Sequence, residues 1–209
     1  MKNILIILLI LIILIVINRI SKKEEMTNKI IINPDTYFKK WPHGGYYVKD
    51  LKNAYQEFLN YISNLYLDNL VEPAIIIDID DTILFTDPLN LVGIDKVNLP
   101  PNPYIWLIPF ICRDFGVKVI ILTARNEKWL EHTKNNLNLH NIPYDKIIMN
   151  KTKSSVFKVQ KRKNLRRKYT IIAEIGDQWP DVSDTNDSLA IKLPSYDDLR
   201  LYIKKPISG

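Results

Sequence analysis

Apolar residues divide the chain into an N-terminal aliphatic segment and a longer region in which two patterns alternate. From position 74 onward, short apolar runs without polar alternation recur, and amphipathic stretches lie between them. Unbroken apolar runs of this length are typical of strands that are buried on both faces of a parallel sheet. The pattern therefore predicts an α/β fold with a Rossmann-like parallel sheet and helices on both of its faces.

The boundaries of these elements follow from turn residues and from periodicity. A first helix is predicted to begin at Asp50 as its N-cap, because Leu51, Phe58 and Ile62 recur at helical spacing. Five strands are predicted over residues 74–77, 117–122, 145–149, 170–175 and 189–193. Further helices are predicted over residues 103–115, 127–139 and 156–168. Crossovers between such parallel strands are expected to be right-handed.

The N-terminal segment is aliphatic at every position from 4 to 17 and is flanked by Lys2 and Arg19. As a helix this run is about 21 Å long, and the charged flanks could extend it far enough to span a bilayer. A core helix is disfavoured because every face is apolar, and a cleaved signal peptide is disfavoured because no small-residue cleavage site follows. We therefore expect an uncleaved signal anchor over 1–20, which makes the chain a single-pass membrane protein whose orientation stays open.

The remaining chain is expected to form a juxtamembrane linker over 21–49 and one domain over 50–209. The net charge of +6 favours an anionic partner such as a phosphate ester, a nucleic acid or a lipid head group. Positions 151–168 are rich in Lys and Arg and contain no acidic residue, and the favoured interpretation is a solvated helix face with one functional lysine. The single cysteine, Cys112, excludes an intrachain disulfide and is interpreted as a small buried hydrophobe.

Polar side chains stand directly after three of the predicted strands. Asp78 and Asp80 follow the first strand, Thr123-Ala124-Arg125 follows the second, and Asp177 and Asp181 follow the fourth. Ligands of such folds bind beyond the carboxyl ends of the strands, where these residues converge. Carboxylates that share one edge repel each other, and Mg²⁺, which prefers oxygen ligands, relieves that repulsion.

These residue types suit phosphoryl transfer. A strand-end carboxylate such as Asp78 can attack phosphorus and form an aspartyl-phosphate. Asp80, two residues away, is predicted to lie on the same side and to exchange a proton with the leaving group and with water. Thr123 offers a hydroxyl to a phosphoryl oxygen, and a lysine is needed to neutralise the remaining charge.

The order and spacing of these motifs resembles the haloacid dehalogenase (HAD) superfamily. The finer similarity is to its subfamily IIIB, the class B-like acid phosphatases related to plant vegetative storage proteins. It rests on Phe157-Lys158 followed by Lys161-Arg162, and on the stretch from Ile175 to Asp181 that contains Gly-Asp-Gln-Trp. The resemblance runs from about residue 50 to about residue 194.

The resemblance implies a Mg²⁺-dependent phosphomonoester hydrolase that acts on a small phosphate ester. Asp78 would be the nucleophile and a metal ligand, and Asp80 would be the acid/base, with its backbone carbonyl on the metal. Thr123 and Lys158 would hold the phosphoryl group, with Lys161 and then Lys153 as alternatives to Lys158. Asp177 and Asp181 would complete the metal site. Two positions depart from the family, which usually has Gly at position 124 and often Ser at position 180, where this chain has Ala and Pro.

The spacing of the motifs leaves little room for an inserted domain. We expect an open site with no cap, or with a small cap formed by residues 85–101. Two other functions remain open. One is a nucleic-acid end phosphatase on the same scaffold, which the basic segment would suit. The other is a non-catalytic, membrane-tethered storage or structural protein.

Overall fold

The structure is a computed structural model that describes residues 44–85, 99–151, 156–183 and 188–194, with side chains from Val48 onward. The predicted anchor, most of the predicted linker and most of the predicted cap region lie outside these residues. Among the described helices, none is long and apolar enough to cross a membrane. The membrane anchor and the single-pass topology therefore stay predictions.

The described residues form five strands that alternate with helices, as the apolar pattern predicts. The strands are β1 (Pro73–Ile77), β2 (Lys118–Asn126), β3 (Lys146–Asn150), β4 (Thr170–Gly176) and β5 (Leu189–Lys192). The α-helices are α1 (Gly44–Ser63), α2 (Ile108–Asp114), α3 (Leu130–Leu139), α4 (Phe157–Leu165) and α5 (Trp179–Val182). Single 3₁₀ turns cover Leu67–Asn69, Ile105–Leu107 and Glu127–Trp129.

All five strands are parallel, and their order across the sheet is β3-β2-β1-β4-β5. The connection from β1 to β2 runs in one direction across the sheet, whereas the connection from β3 to β4 runs in the other. Such crossovers are right-handed in nearly all proteins, which would place their helices α2 and α4 on opposite faces. The prediction of a parallel sheet flanked by helices is confirmed.

The core is built on the aliphatic run of β1. Residues 74–77 are buried, and Phe58 and Leu51 of α1 are fully buried as well. On the face beneath α4, the helix inserts Phe157 and Leu165 among buried side chains of three strands, which are Ala74, Ile76, Ile120, Leu122 and Ile171. Each fully buried side chain of this size stabilises the fold by about 2 kcal/mol, so this packing fixes α4 on the sheet.

Helix α1 begins earlier than the sequence predicts. It starts at Gly44, so Asp50 lies within the helix and the prediction that it is the N-cap is wrong. Val48 is buried one turn ahead of Leu51, which extends the apolar face upstream of Asp50. The helix therefore includes the last six residues of the predicted linker.

Strand β4 contains a bulge that decides which of its side chains face α4. The register pairs Ala74 with Ile171 but Ile75 with Ala173, so β4 accommodates one extra residue. An extra residue reverses the alternation of faces beyond it. As a result Glu174 points to the face that α4 covers, where it meets two arginines of the α4 region.

The buried position of Cys112 generates a testable prediction. Its side chain is fully buried, and burial, reinforced by the nearby Asp145 carboxylate, raises the pKa of the thiol far above its ordinary value. Since the thiolate is the reactive form, we expect no reaction of the native protein with an aromatic disulfide reagent at pH 8. One thiol per chain should react once denaturant is added. A rapid, stoichiometric reaction without denaturant would contradict the described packing of α2.

Candidate active site

The loop after β1 is a tight turn that presents Asp78 at the edge of the sheet. The amide of Thr82 donates to the carbonyl of Ile79 at 3.2 Å, and Asp81 adopts a left-handed conformation with φ of 56°. Aspartate tolerates this conformation better than most residues do. The buried Asn102 side chain donates to the carbonyl of Asp81 at 3.1 Å, which fixes the turn from a second segment.

Lys158, in the first turn of α4, reaches two of the candidate carboxylates. Its Nζ lies 2.7 Å from Oδ1 of Asp78 and 2.5 Å from Oδ1 of Asp181. All three side chains are buried. The candidate nucleophile, phosphate-binding lysine and metal ligand are therefore in direct contact, although they are far apart in the sequence.

The alternative lysines lie elsewhere. Lys161 is exposed, and its ammonium lies over the ring of Phe157 at 5.8 Å from the centroid. Lys153 is outside the described residues. Of the two described candidates, Lys158 is the lysine that contacts Asp78.

Asp177 follows β4 and is tied to the loop after β1. Its amide donates to Oγ1 of Thr82 at 3.2 Å, and the Gln178 side chain donates to its Oδ2 at 2.7 Å. Carboxylate oxygens of Asp78, Asp177 and Asp181 all lie within 4.8 Å of one another. The strand order explains this meeting, because β1 and β4 are neighbours and end at the same edge.

Asp181 lies in a short turn that we call the Asp181 turn, residues 178–183. The turn contains α5 and begins with a capping box, in which the amide of Gln178 donates to Oδ2 of Asp181 at 3.0 Å. A side chain at Gly176 would collide with the Asp181 side chain, so a glycine is required there. Pro180 occupies the first turn of α5, where proline is tolerated, and this departure from the family is accommodated.

Asp80 has a partner that the sequence interpretation did not assign. Arg125, at the end of β2, donates from Nη2 to Oδ1 of Asp80 at 2.7 Å and from Nε to Oδ2 at 3.0 Å. The arginine side chain is buried, whereas that of Asp80 is 25% exposed. This bidentate pair fixes the orientation of the candidate acid/base while leaving it accessible. Its only signal in the sequence was the position of Arg125 after a predicted strand.

Thr123 is buried near the end of β2. Its hydroxyl oxygen accepts a hydrogen bond from the amide of Arg125 at 3.1 Å, and the hydroxyl can still donate its hydrogen to a phosphoryl oxygen. Ala124 is exposed, so the methyl group that replaces the family's usual glycine is not buried in the core.

Burial dominates the electrostatics of the carboxylates. It raises the pKa of Asp78, Lys158 opposes the rise, and the charges of Asp181 and Asp80 reinforce it. Burial also raises the pKa of Asp177 to about 6, against the hydrogen bond from Gln178. For Lys158, burial alone lowers the pKa, but Asp78 and Asp181 more than compensate and the pKa is raised.

The site fits a hard divalent cation. Asp78, Asp177 and Asp181 bring three carboxylates together, and two of them contact the one ammonium of Lys158. Burial raises the pKa of both Asp78 and Asp177, because desolvation penalises the charged forms and Lys158 offsets only part of that penalty. Oxygen ligands at this separation are the kind that a hard divalent cation prefers, and its charge would complete the compensation.

This geometry agrees with the comparison to protein families. Residues 111–199 match the family model described as HAD superfamily, subfamily IIIB (acid phosphatase). The resemblance to the subfamily IIIB acid phosphatases is confirmed. The matched range contains Thr123, Lys158, Asp177 and Asp181, whereas Asp78 and Asp80 precede it.

Relatives and solved structures extend the similarity over more of the chain. The chain is 30% identical over 172 residues to vegetative storage protein 2 of Arabidopsis thaliana and 29% identical over 171 residues to vegetative storage protein 1, each match covering 71% of the chain. It spans 64% and 63% of the lengths of these two relatives. The class C acid phosphatase from Bacillus anthracis has the same fold, with a TM-score of 0.62 at 18% identity over 78% of this chain and 86% of that one.

The raised pKa of Asp177 predicts how the metal-free protein responds to pH. A folded-state pKa above the ordinary value means that protonation favours the folded state, so this stabilisation is present below about pH 4 and is lost as pH rises through about 6. A rise from 3.8 to about 6 corresponds to about 3 kcal/mol.

Urea unfolding in the presence of a chelator, at pH 4 and at pH 7, measures this effect. The free energy of unfolding should fall less between these two pH values in Asp177→Asn than in the parent, by about 2 kcal/mol. Adding Mg²⁺ at pH 7 should stabilise the parent more than the variant. Equal pH dependence in the two proteins would show that Asp177 is not destabilised by burial.

Proposed function

We propose that this chain is a Mg²⁺-dependent phosphatase that hydrolyses small phosphate monoesters through an aspartyl-phosphate on Asp78. The observation that carries the proposal is the buried contact of Lys158 with both Asp78 and Asp181, next to Asp177. A nucleophile, a cation for the phosphoryl group and a set of metal ligands thus meet at one edge of the sheet.

In the first step, an oxygen of Asp78 attacks phosphorus and the bond from phosphorus to the ester oxygen breaks. Asp80, held by Arg125 and partly exposed, gives a proton to the departing alcohol oxygen. Lys158 and Thr123 donate hydrogen bonds to the phosphoryl oxygens. A bound Mg²⁺, held by Asp78, Asp177, Asp181 and the backbone carbonyl of Asp80, would neutralise charge on the phosphoryl group.

In the second step, water attacks phosphorus in the aspartyl-phosphate and passes a proton to Asp80. The bond between phosphorus and the Asp78 oxygen breaks, inorganic phosphate leaves, and both aspartates return to their starting states. Water is the only co-reactant that these two reaction steps require. Arg125 bonds both oxygens of the ionised Asp80, which orients the carboxylate that accepts the proton from water.

The non-catalytic alternative is favoured by one specific observation, which is that the two curated relatives are named vegetative storage proteins. The complete set of reacting groups in this chain supports catalysis instead. The proposal also includes the predicted anchor at residues 4–17, which would tether the phosphatase to a membrane as a single-pass protein.

Removing the nucleophile tests the reaction directly. The full chain should hydrolyse an aryl phosphate in the presence of Mg²⁺, and a chelator should abolish the hydrolysis. Asp78→Asn should lower kcat on the order of 10³-fold or more, because an amide cannot form the aspartyl-phosphate. A folded Asp78→Asn protein that hydrolyses the ester as fast as the parent would rule out the mechanism. A folded parent that is inactive on several esters and at several pH values would favour the storage role.

The two described lysines of α4 provide a matched pair of variants. Lys158→Ala should lower kcat about 10²- to 10³-fold, because the phosphoryl group loses a buried charged donor. Lys161→Ala removes an exposed ammonium that lies over a ring and should change kcat by less than about twofold. Steady-state kinetics on the same ester measures both. The assignment of Lys158 would be wrong if the two variants retained similar activity.

A further inference from the structure

Arg162 is a fully buried arginine on α4, one turn after Lys158. Its guanidinium donates from Nη1 to the carbonyl of Pro180 and from Nη2 to the carbonyl of Ser183, and Nη2 also lies 3.2 Å from Oγ of Ser183. These acceptors stand on either side of Asp181. One side chain therefore binds backbone carbonyls on both sides of Asp181, a candidate metal ligand.

The Asp181 turn needs such a support from outside. Its helix, α5, is four residues long, and an isolated helix of one turn is unstable in water. The capping box satisfies the start of α5, whereas carbonyl groups near its end have no partner within the helix. The two carbonyls that Arg162 binds lie within and just after α5, so the guanidinium supplies the hydrogen bonds that the short helix lacks.

Glu174 forms an ion pair with Arg162 and a hydrogen bond with Arg166. The bulge in β4 turns this carboxylate toward α4, and its side chain is fully buried. Its Oε1 lies 3.6 Å from Nε of Arg162 and 2.6 Å from Nη2 of Arg166. A buried ion pair of this kind is weak evidence for a role in stability, because apolar residues of similar volume often stabilise a fold as well or better. Its geometry points instead to a role in fixing position.

We propose that Arg162 and Glu174 are positioning residues that hold Asp181 against Lys158 by clamping the Asp181 turn onto α4. Residues four apart on a helix lie on the same face, so α4 presents both the cation that contacts Asp78 and Asp181 and the cation that fixes the turn. The separation of Lys158 from Asp181 is thereby set by one rigid element. The clamp concerns the same site as the proposed phosphatase activity and rests on that function for its purpose.

Amide hydrogen exchange of the full chain, read by mass spectrometry without metal, tests the clamp. In Arg162→Met, exchange should rise roughly tenfold in residues 177–183, because the turn loses its hold, while β1 and the rest of α4 keep the parent's rates. Arg162→Lys should restore the turn only in part, since an ammonium lacks the planar fork that bridges two carbonyls. Arg167→Met, which changes an exposed arginine just beyond α4, is the matched control and should behave as the parent.

Mn²⁺ binding, followed by electron paramagnetic resonance well below the melting temperature, gives a second readout. Misplacing Asp181 should weaken the Mn²⁺ affinity about 10- to 100-fold in Arg162→Met and in Glu174→Gln. Glu174→Gln keeps the shape of the side chain and serves if Arg162→Met does not fold. Unchanged exchange in the turn, or exchange that rises equally in β1, β4 and α4, would overturn the proposal.

The readouts separate this proposal from the proposed function. A parent protein that hydrolyses no ester, but whose Asp181 turn loosens selectively in Arg162→Met, would keep the clamp and reject the phosphatase. An active parent would keep the phosphatase, and the clamp would be rejected if amide exchange in the Asp181 turn were unchanged in both Arg162→Met and Glu174→Gln.

Discussion

The burial of several like charges at one edge of the sheet is the constraint on which the rest of the structure depends. Asp78, Asp177 and Asp181 are each buried, and desolvation raises the pKa of Asp78 and of Asp177. A fold tolerates this only where cations are built in or bound. Lys158 supplies part of the compensation, and the remaining negative charge makes the site attractive to a divalent cation.

The fold could be predicted because its signals are local. The apolar run of residues 74–77 cannot be a half-exposed strand, and its repetition along the chain indicates a parallel sheet. The predicted start of α1 was wrong because Asp50 is a residue type that often caps helices, whereas the apolar periodicity of the helix continues back to Val48. The bulge in β4 could not be foreseen either, because one extra residue within an apolar run leaves the pattern unchanged.

Asp78 and Asp177 could be predicted because each stands directly after a strand, and Asp181 and Lys158 could be chosen from their sequence context. The partners that orient these residues could not. Arg125 is 45 residues from Asp80, and the pair exists only because β1 and β2 are neighbours. Arg162 lies within a run of basic residues, and burial alone distinguishes it from exposed neighbours such as Lys161.

The two buried cations of α4, Lys158 and Arg162, have different tasks in the proposed site. The contacts of Lys158 must change during the reaction, whereas those of Arg162 must stay fixed. The ammonium of Lys158 contacts two carboxylates, and in the proposed reaction it must also donate to the phosphoryl oxygens. A lysine can redirect its three donors by rotating its flexible stem, whereas the planar guanidinium of Arg162 is committed to fixed acceptors. Exchanging the two residue types would therefore leave the turn loosely held and the phosphate-binding cation rigid. The chemistry requires the opposite arrangement, and α4 provides it with one residue of each kind, one helical turn apart.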